Sequence, residues 1–221
     1  MEKSYWESRW IKNKIGFHTP EGEEALHKWW DRIVPQNQPL HVLIPLCGKS
    51  PDIEWIAQKG AQVTGIEFVE MACHDFFNER DIQPIITQHS FGKCFNHEGI
   101  DLWASDILKM PKRLLDKSNI VYDRAALVAL PERMRVAYVE KIASALKPGS
   151  RILLISFDYP QDEMNGPPFS IPEKEINTLH EMYYDITLLE STEILSNLKK
   201  FKEKGLSYLR KLVFLLERKH D

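Results

Sequence analysis

Two hydrophobic rhythms alternate between residues 40 and 160. "LHVLIPL" (40–46) is a near-continuous apolar run, the pattern of a strand buried on both faces. "SPDIEWIAQKG" (50–60) reads as a helix, with Ser50 at the N-cap, Pro51 at the first helical position and Gly60 as its stop. Ile53, Trp55 and Ile56 form its apolar side. "AQVTGIEF" (61–68) and "VEMACHDFFNER" (69–80) repeat the strand–helix step. A less regular stretch with Pro84, Gly92 and Gly99 follows, and then a third strand, "IDLWASD" (100–106). "NIVYDRAAL" (119–127) reads as a fourth, ending near Tyr122 or Asp123. "PERMRVAYVEKIASALKPG" (131–149) is a helix with Val139, Ile142 and Leu146 on one face, and "SRILLISFDY" (150–159) is a fifth strand.

The rhythm then breaks. "PQDEMNGPPFSIP" (160–172), with four prolines, must be a loop. A short helix, "PEKEINTLHEMY" (172–183), precedes two further strands, "DITLLES" (185–191) and "YLRKLVFLLERK" (208–219). Alternation followed by this tail predicts an α/β fold with a doubly wound, mostly parallel seven-stranded sheet and a late antiparallel strand. Trp6, Trp10, Phe17, Trp29 and Trp30 make the first 35 residues too aromatic for a loose leader, so they are expected to fold over the core as a helical cover. The expected organisation is one domain, 1–221, with a cover (1–35) and an α/β core (36–221).

Composition narrows the partners. With a net charge of −3 over 221 residues, bulk charge gives no basis for nucleic-acid binding. Cys47, Cys73 and Cys94 are widely spaced, with no Cys-x-x-Cys, so neither a metal site nor a disulfide framework is suggested, and a reducing compartment is the simple reading. The N-terminus, "MEKSYWESRWIKNK", is too polar for a signal peptide, and no apolar run is long enough for a membrane span. A cytoplasmic monomer acting on a small molecule is expected.

The chemistry starts at "LCGKS" (46–50), where Gly-Lys-Ser follows a strand as in a phosphate-binding loop. A Walker loop would need its first glycine at position 43, which is Leu43, inside the strand. The Gly-x-Gly-x-x-Gly fingerprint fails too, with one glycine present. Glu67, at the end of the second strand, changes the picture, because a carboxylate there can accept hydrogen bonds from both hydroxyls of a ribose. Asp106 ends the third strand, where an adenine would lie, although a helix cap explains it equally. A loop glycine and two acids at successive strand ends make the layout of an S-adenosylmethionine site, which needs no pyrophosphate cradle.

Four segments carry a resemblance: "YWESRWIKNKIGFH" (5–18), "PLCGKSPDIEWIAQKGAQVTGIE" (45–67), "YDRAALVALPERMR" (122–135) and "DYPQDEMNGPPFSIP" (158–172). Together they resemble the thiopurine S-methyltransferases, a family of class I S-adenosylmethionine-dependent methyltransferases, and the chain looks like a bacterial-type member. The resemblance weakens over 80–98 and 190–207.

It implies transfer of a methyl group from S-adenosylmethionine to an aromatic or heterocyclic thiol such as a thiopurine. It also implies roles. Trp10, with Trp6 close by, packs near the methionine end; Leu46 and the Gly48 backbone line the methionine portion; Glu67 holds the ribose; Asp106 and Ile107 flank the adenine. Phe17 lines the acceptor pocket, and Arg124 lies near cofactor and acceptor as the catalytic candidate. The alternative for Arg124 is a salt bridge with Asp123 or Asp158. His18 is the nearest base candidate, though an ionised aryl thiol needs none. Ser50 should cap a helix, Lys49 should be solvated, and Cys47 reads as a small buried residue. Phe169 would add apolar surface to a 160–172 lid, or simply pack. Methylation of selenium or tellurium species, of halide or thiocyanate, and non-catalytic cofactor binding are the other readings.

Overall fold

The computed structural model describes residues 3–36, 38–203 and 205–220. Helices α1 (Lys3–Ile11) and α2 (Glu24–Ile33) precede β1 (His41–Pro45), α3 (Asp52–Gln58), β2 (Gln62–Glu67) and α4 (Glu70–Asn78). A hairpin, β3 (Ile85–His89) and β4 (Gly92–His97), leads into β5 (Ile100–Ala104), α5 (Lys112–Leu115), β6 (Ile120–Arg124), α6 (Glu132–Ala145) and β7 (Arg151–Asp158). The tail holds α7 (Glu173–His180), β8 (Tyr184–Glu193), α8 (Lys199–Lys202) and β9 (Arg210–Arg218).

The strands form a sheet in the order β3-β4-β5-β2-β1-β6-β7-β9-β8. It has nine strands rather than the seven expected. The two additions are β3 and β4, in the stretch that lacked a readable rhythm. All five β3 residues are exposed, so that edge strand has no buried face to imprint an alternation. The sheet is also evenly mixed. The pairs β1–β2, β1–β6, β2–β5 and β6–β7 are parallel. The pairs β3–β4, β4–β5, β7–β9 and β8–β9 are antiparallel. β9 is the late antiparallel strand, inserted between β7 and β8.

Both faces are covered, as a doubly wound sheet requires. Val42 and Ile44 join Leu26, Trp30 and Ile33 of α2, Ile53 and Ile56 of α3, and Phe76 and Phe77 of α4 in one core. Leu43, one residue out of phase, points the other way and joins Tyr138, Val139 and Ile142 of α6 and Ile176 of α7. The parallel order reverses at β1, with β2 on one side and β6 on the other, so a crevice opens beyond the carboxyl ends of these strands.

Candidate active site

Where β1 ends, the backbone leaves ordinary strand geometry twice. Leu46 has φ +48° and Gly48 has φ +55°, both left-handed. Glycine takes that conformation at no steric cost, whereas Leu46 is held there by its surroundings. Space is also limited at Gly48: a Cβ there would lie 3.3 Å from Cζ2 of Trp10. Trp10 comes from α1 and is 6% exposed, packed on Val69 and Ala72 at the start of α4. Its ring meets Phe17 edge-on at 5.8 Å, and Trp6 meets the same Phe17 at 5.8 Å. The helical cover is therefore anchored by aromatic packing on the loop after β1.

Glu67 at the end of β2 is buried, and it ties that loop to the next one. Its Oε2 accepts the Gly48 N–H at 2.8 Å and its Oε1 accepts the Val69 N–H at 2.8 Å. Burial raises its pKa above the ordinary carboxylate value, while these backbone donors oppose the rise. A carboxylate has about four acceptor positions, so capacity remains on the side that faces the crevice.

Arg124 ends β6 and is followed by Ala125 at φ +67°. Its guanidinium does not pair with Asp123 or Asp158, as the salt-bridge alternative had it. Nη1 donates to the Phe17 carbonyl at 2.6 Å and Nη2 to Thr19 Oγ1 at 3.0 Å, with Glu23 3.8 Å from Nε. Asp123 instead accepts the Leu127 N–H at 3.0 Å and the Tyr138 hydroxyl at 2.6 Å, shaping the loop after β6 from beneath.

These elements enclose a cavity of about 390 Å³, within the range of small-molecule sites. Trp6, Trp10, Phe17, Leu46, Glu67 and Arg124 all line it. Much of its lining is apolar, with Val128, Ile155, Phe157, Pro167, Leu198 and Phe201 on the walls. Arg9 lines it too, and the buried Arg9 Nε has no hydrogen-bond partner among the described residues.

Several expected residues sit elsewhere. Asp106 caps a short 3-10 turn through Leu108 N–H at 3.0 Å, and neither it nor the buried Ile107 lines the cavity. Gly48 contributes from behind, through Glu67 and Trp10. His18 lies outside the lining; burial, followed by the nearby Lys49 charge, lowers its pKa. Lys49 is not solvated: its side chain is 12% exposed and pairs with Glu79 and, at 4.0 Å, with Asp75. Ser50 Oγ accepts the Asp52 N–H at 3.3 Å, but the observed N-cap is Pro51, one residue after the expected Ser50. Cys47 is fully enclosed and burial pushes its thiol pKa up, which suits a packing residue and not a nucleophile. Phe169 donates its N–H to Val128 O at 2.7 Å, so the 160–172 loop is latched to the segment after β6.

The thiopurine S-methyltransferase (TPMT) family model matches residues 1–219. The chain belongs to the thiopurine S-methyltransferase family. A thiopurine S-methyltransferase of Aliivibrio fischeri is 40% identical over 218 residues, covering 98% of this chain and 100% of that protein. One from Pseudomonas fluorescens is 36% identical over 216 residues, covering 98% and 99%. Among solved structures, the 1,6-didemethyltoxoflavin N1-methyltransferase of Burkholderia thailandensis, with bound S-adenosylhomocysteine, superposes at TM-score 0.63 with 16% identity, over 99% of this chain and 87% of that one. Phosphoethanolamine N-methyltransferase 2 of Haemonchus contortus, with S-adenosylmethionine, gives TM-score 0.64 at 11% identity, over 91% and 54%. These two likenesses establish the methyltransferase fold for this family member. Sequence reading missed Arg9, Glu23 and Lys211 on the cavity wall; Glu23 sits in the acidic run "EGEE" and reads as surface, and Lys211 reads as an ordinary strand residue.

Proposed function

We propose that this chain is an S-adenosylmethionine-dependent S-methyltransferase acting on aromatic or heterocyclic thiols such as thiopurines, and that 1–221 form one methyltransferase domain. The observation that carries the reading is the meeting of Trp10, Leu46, Glu67 and Arg124 around one cavity at the strand ends. The residues fit the cofactor: a buried carboxylate suits a ribose, an aromatic cluster suits a sulfonium, and the unpaired Arg9 Nε suits a carboxylate. When bound, the cofactor supplies an electrophilic methyl group on a sulfonium that is already a good leaving group.

The chain's own task is then chiefly alignment. Glu67 would hold the ribose hydroxyls, and Leu46 with the Gly48 backbone would hold the methionine portion. Trp10 and Trp6 present aromatic faces worth about 1 kcal/mol or more to a desolvated cation. Phe17 and the apolar walls would seat the ring of the acceptor. Arg124, permanently cationic, would stabilise the thiolate while its other donors hold the cover shut. Asp106 and Ile107 remain the candidates for flanking the adenine. Three buried cysteines without a disulfide favour a reducing, cytoplasmic setting. The large exposed apolar residues among those described are spread over several elements, with Ile11 on α1, Ile85 and Ile86 on β3 and Val136 on α6, which favours a monomer.

The test is calorimetric titration with S-adenosylhomocysteine, followed by a screen of labelled methyl transfer to aryl thiols, selenium and tellurium compounds, and halides. Micromolar binding with turnover of aryl thiols is expected. Binding without transfer to any of these would sink the enzyme reading. Glu67→Ala should weaken cofactor binding at least about tenfold, the loss of one good hydrogen-bond contribution to a charged group; unchanged affinity would refute its ribose role.

A further inference from the structure

The cavity wall also carries a charge cluster, Glu23 and Lys211 beside Arg124, of which the reading above gives a task to Arg124 alone. Glu23 lies on the cavity wall with its side chain 12% exposed. Its Oε1 accepts from Lys211 Nζ at 2.7 Å, and its Oε2 lies 3.8 Å from Arg124 Nε. Two cations share one carboxylate, so the cluster retains a net positive charge within walls made by Ile155, Phe157, Leu198 and Phe201. Enclosure of this kind makes a charge felt more strongly than it would be on an open surface.

The fold is specialised to bring Glu23 there. Gly22 takes φ +77°, and a Cβ on it would fall 2.4 Å from Asp52 Oδ1. That oxygen accepts the Glu23 N–H at 3.0 Å, and Oδ2 accepts the Tyr122 hydroxyl at 2.8 Å. Asp52 is 1% exposed. A buried carboxylate, with a glycine beside it, thus fixes the Glu23 backbone against β6 and α3. Lys211 arrives from β9, opposite Phe157 of β7 and 188 residues away in the chain. A lysine ammonium on its four-carbon stem holds no fixed direction alone, and Glu23 gives it one.

We propose that Glu23 is a positioning residue that holds Lys211 beside Arg124, and that Lys211 makes the acceptor subsite selective for acceptors that arrive as anions, aryl thiolates above all. This deepens the acceptor-side reading above and rests on it. The apolar walls take the ring, and the bridged cations take the negative charge, which an apolar pocket alone would reject. The carboxylate keeps the cations from repelling each other between turnovers.

The experiment compares wild type, Glu23→Gln, Lys211→Met and the double variant on para-substituted thiophenols that ionise on either side of the assay pH. S-adenosylhomocysteine affinity and Tm are measured separately. Each single variant is expected to raise KM for ionised thiols about tenfold and for un-ionised ones less than about threefold, with kcat and cofactor affinity within about twofold. The double variant should be no worse than either single, because the two residues act as a unit. Unchanged or strictly additive KM values overturn the proposal. So does a joint fall of Tm and cofactor affinity with a KM change blind to ionisation, the mark of a structural clasp. Wild type that binds S-adenosylhomocysteine but turns over no thiol overturns the function reading instead; failure confined to the variants overturns only this inference.

Discussion

At the scale of single residues, the local conformations around the crevice are costly, and each has a visible use. Gly48 combines left-handed φ with the Trp10 ring at contact distance. In Gly48→Ala the backbone penalty is about 1–2 kcal/mol, and the indole must shift by a few tenths of an ångström. The expected result is a loss of about tenfold in S-adenosylhomocysteine affinity, read by calorimetry, with a small fall in Tm. Two buried titrating groups on the β6–α6–α7 side make a second prediction. Burial raises the Asp123 pKa to about 6 and lowers that of His180 to about 4. Both line one small void with Tyr138 and Tyr184. Because folding favours protonated Asp123, its contribution is greatest at low pH and declines as pH climbs from about 4 to 6. Because folding favours neutral His180, its contribution is complete above about pH 6.5 and is lost as pH falls towards 4. Each amounts to the order of a few kcal/mol, and in wild type they oppose each other. Asp123→Asn should therefore steepen the rise of urea stability from pH 4 to 6, and His180→Gln should reverse it. Parallel curves for all three proteins would refute the assignment. Residue-level legibility followed local logic. Leu46 came from the family resemblance, and Glu67 was readable because strand ends in this architecture face the crevice. Glu23 and Lys211 were not, because only the folded chain brings them together. Asp106 allowed two readings, because an acid at a strand end can also cap the next turn, and here its carboxylate accepts the Leu108 N–H.

At the scale of elements, α3, α4, α6, α7 and the central strands were legible, because each carries one buried face or two, whereas the short α5 and α8 were not. The β3–β4 hairpin was not, since β3 is an edge strand with no buried side. Its turn nevertheless depends on one position. Gly92 sits at φ +150°, and a Cβ on it would lie 2.5 Å from the Ala104 carbonyl oxygen. Backbone cannot yield as a side-chain tip does, so Gly92→Ala should cost about 2 kcal/mol or more in urea unfolding. Cofactor affinity should stay within about twofold, since the hairpin lies outside the cavity lining. The opposite edge, β8, is blunted by a bulge between Leu188 and Glu190. Glu190 accepts there from Lys28 at 2.5 Å and from the Trp29 indole at 3.4 Å, which docks α2 against the sheet edge.

At the scale of the whole molecule, the cavity has walls from the cover, the β1, β2 and β6 ends, the 160–172 loop and the segment between β8 and β9. A ligand filling it must bind the folded chain alone. Saturation at one hundred times Kd should add about 2.7 kcal/mol, or a rise in Tm of roughly 5–10 °C for a chain of this size. Scanning calorimetry with S-adenosylhomocysteine checks this, and a flat Tm would contradict binding. The doubly wound class was legible from the strand–helix rhythm. The even mixture of parallel and antiparallel pairs was not, because two of the four antiparallel pairs come from the unread β3–β4 hairpin.

The place of β9 has a consequence for how the protein is made. It is the last strand in the sequence, yet it lies between β7 and β8. As the chain leaves the ribosome, β8 emerges with no neighbour to pair with, and the sheet stays open on that side until β9 follows. The same strand delivers Lys211 to Glu23, 188 residues earlier in the chain. Assembly of this part of the cavity wall is thus postponed until β9 has emerged. A nascent chain stalled before residue 210 should remain protease-sensitive beyond β7, whereas the released chain should not.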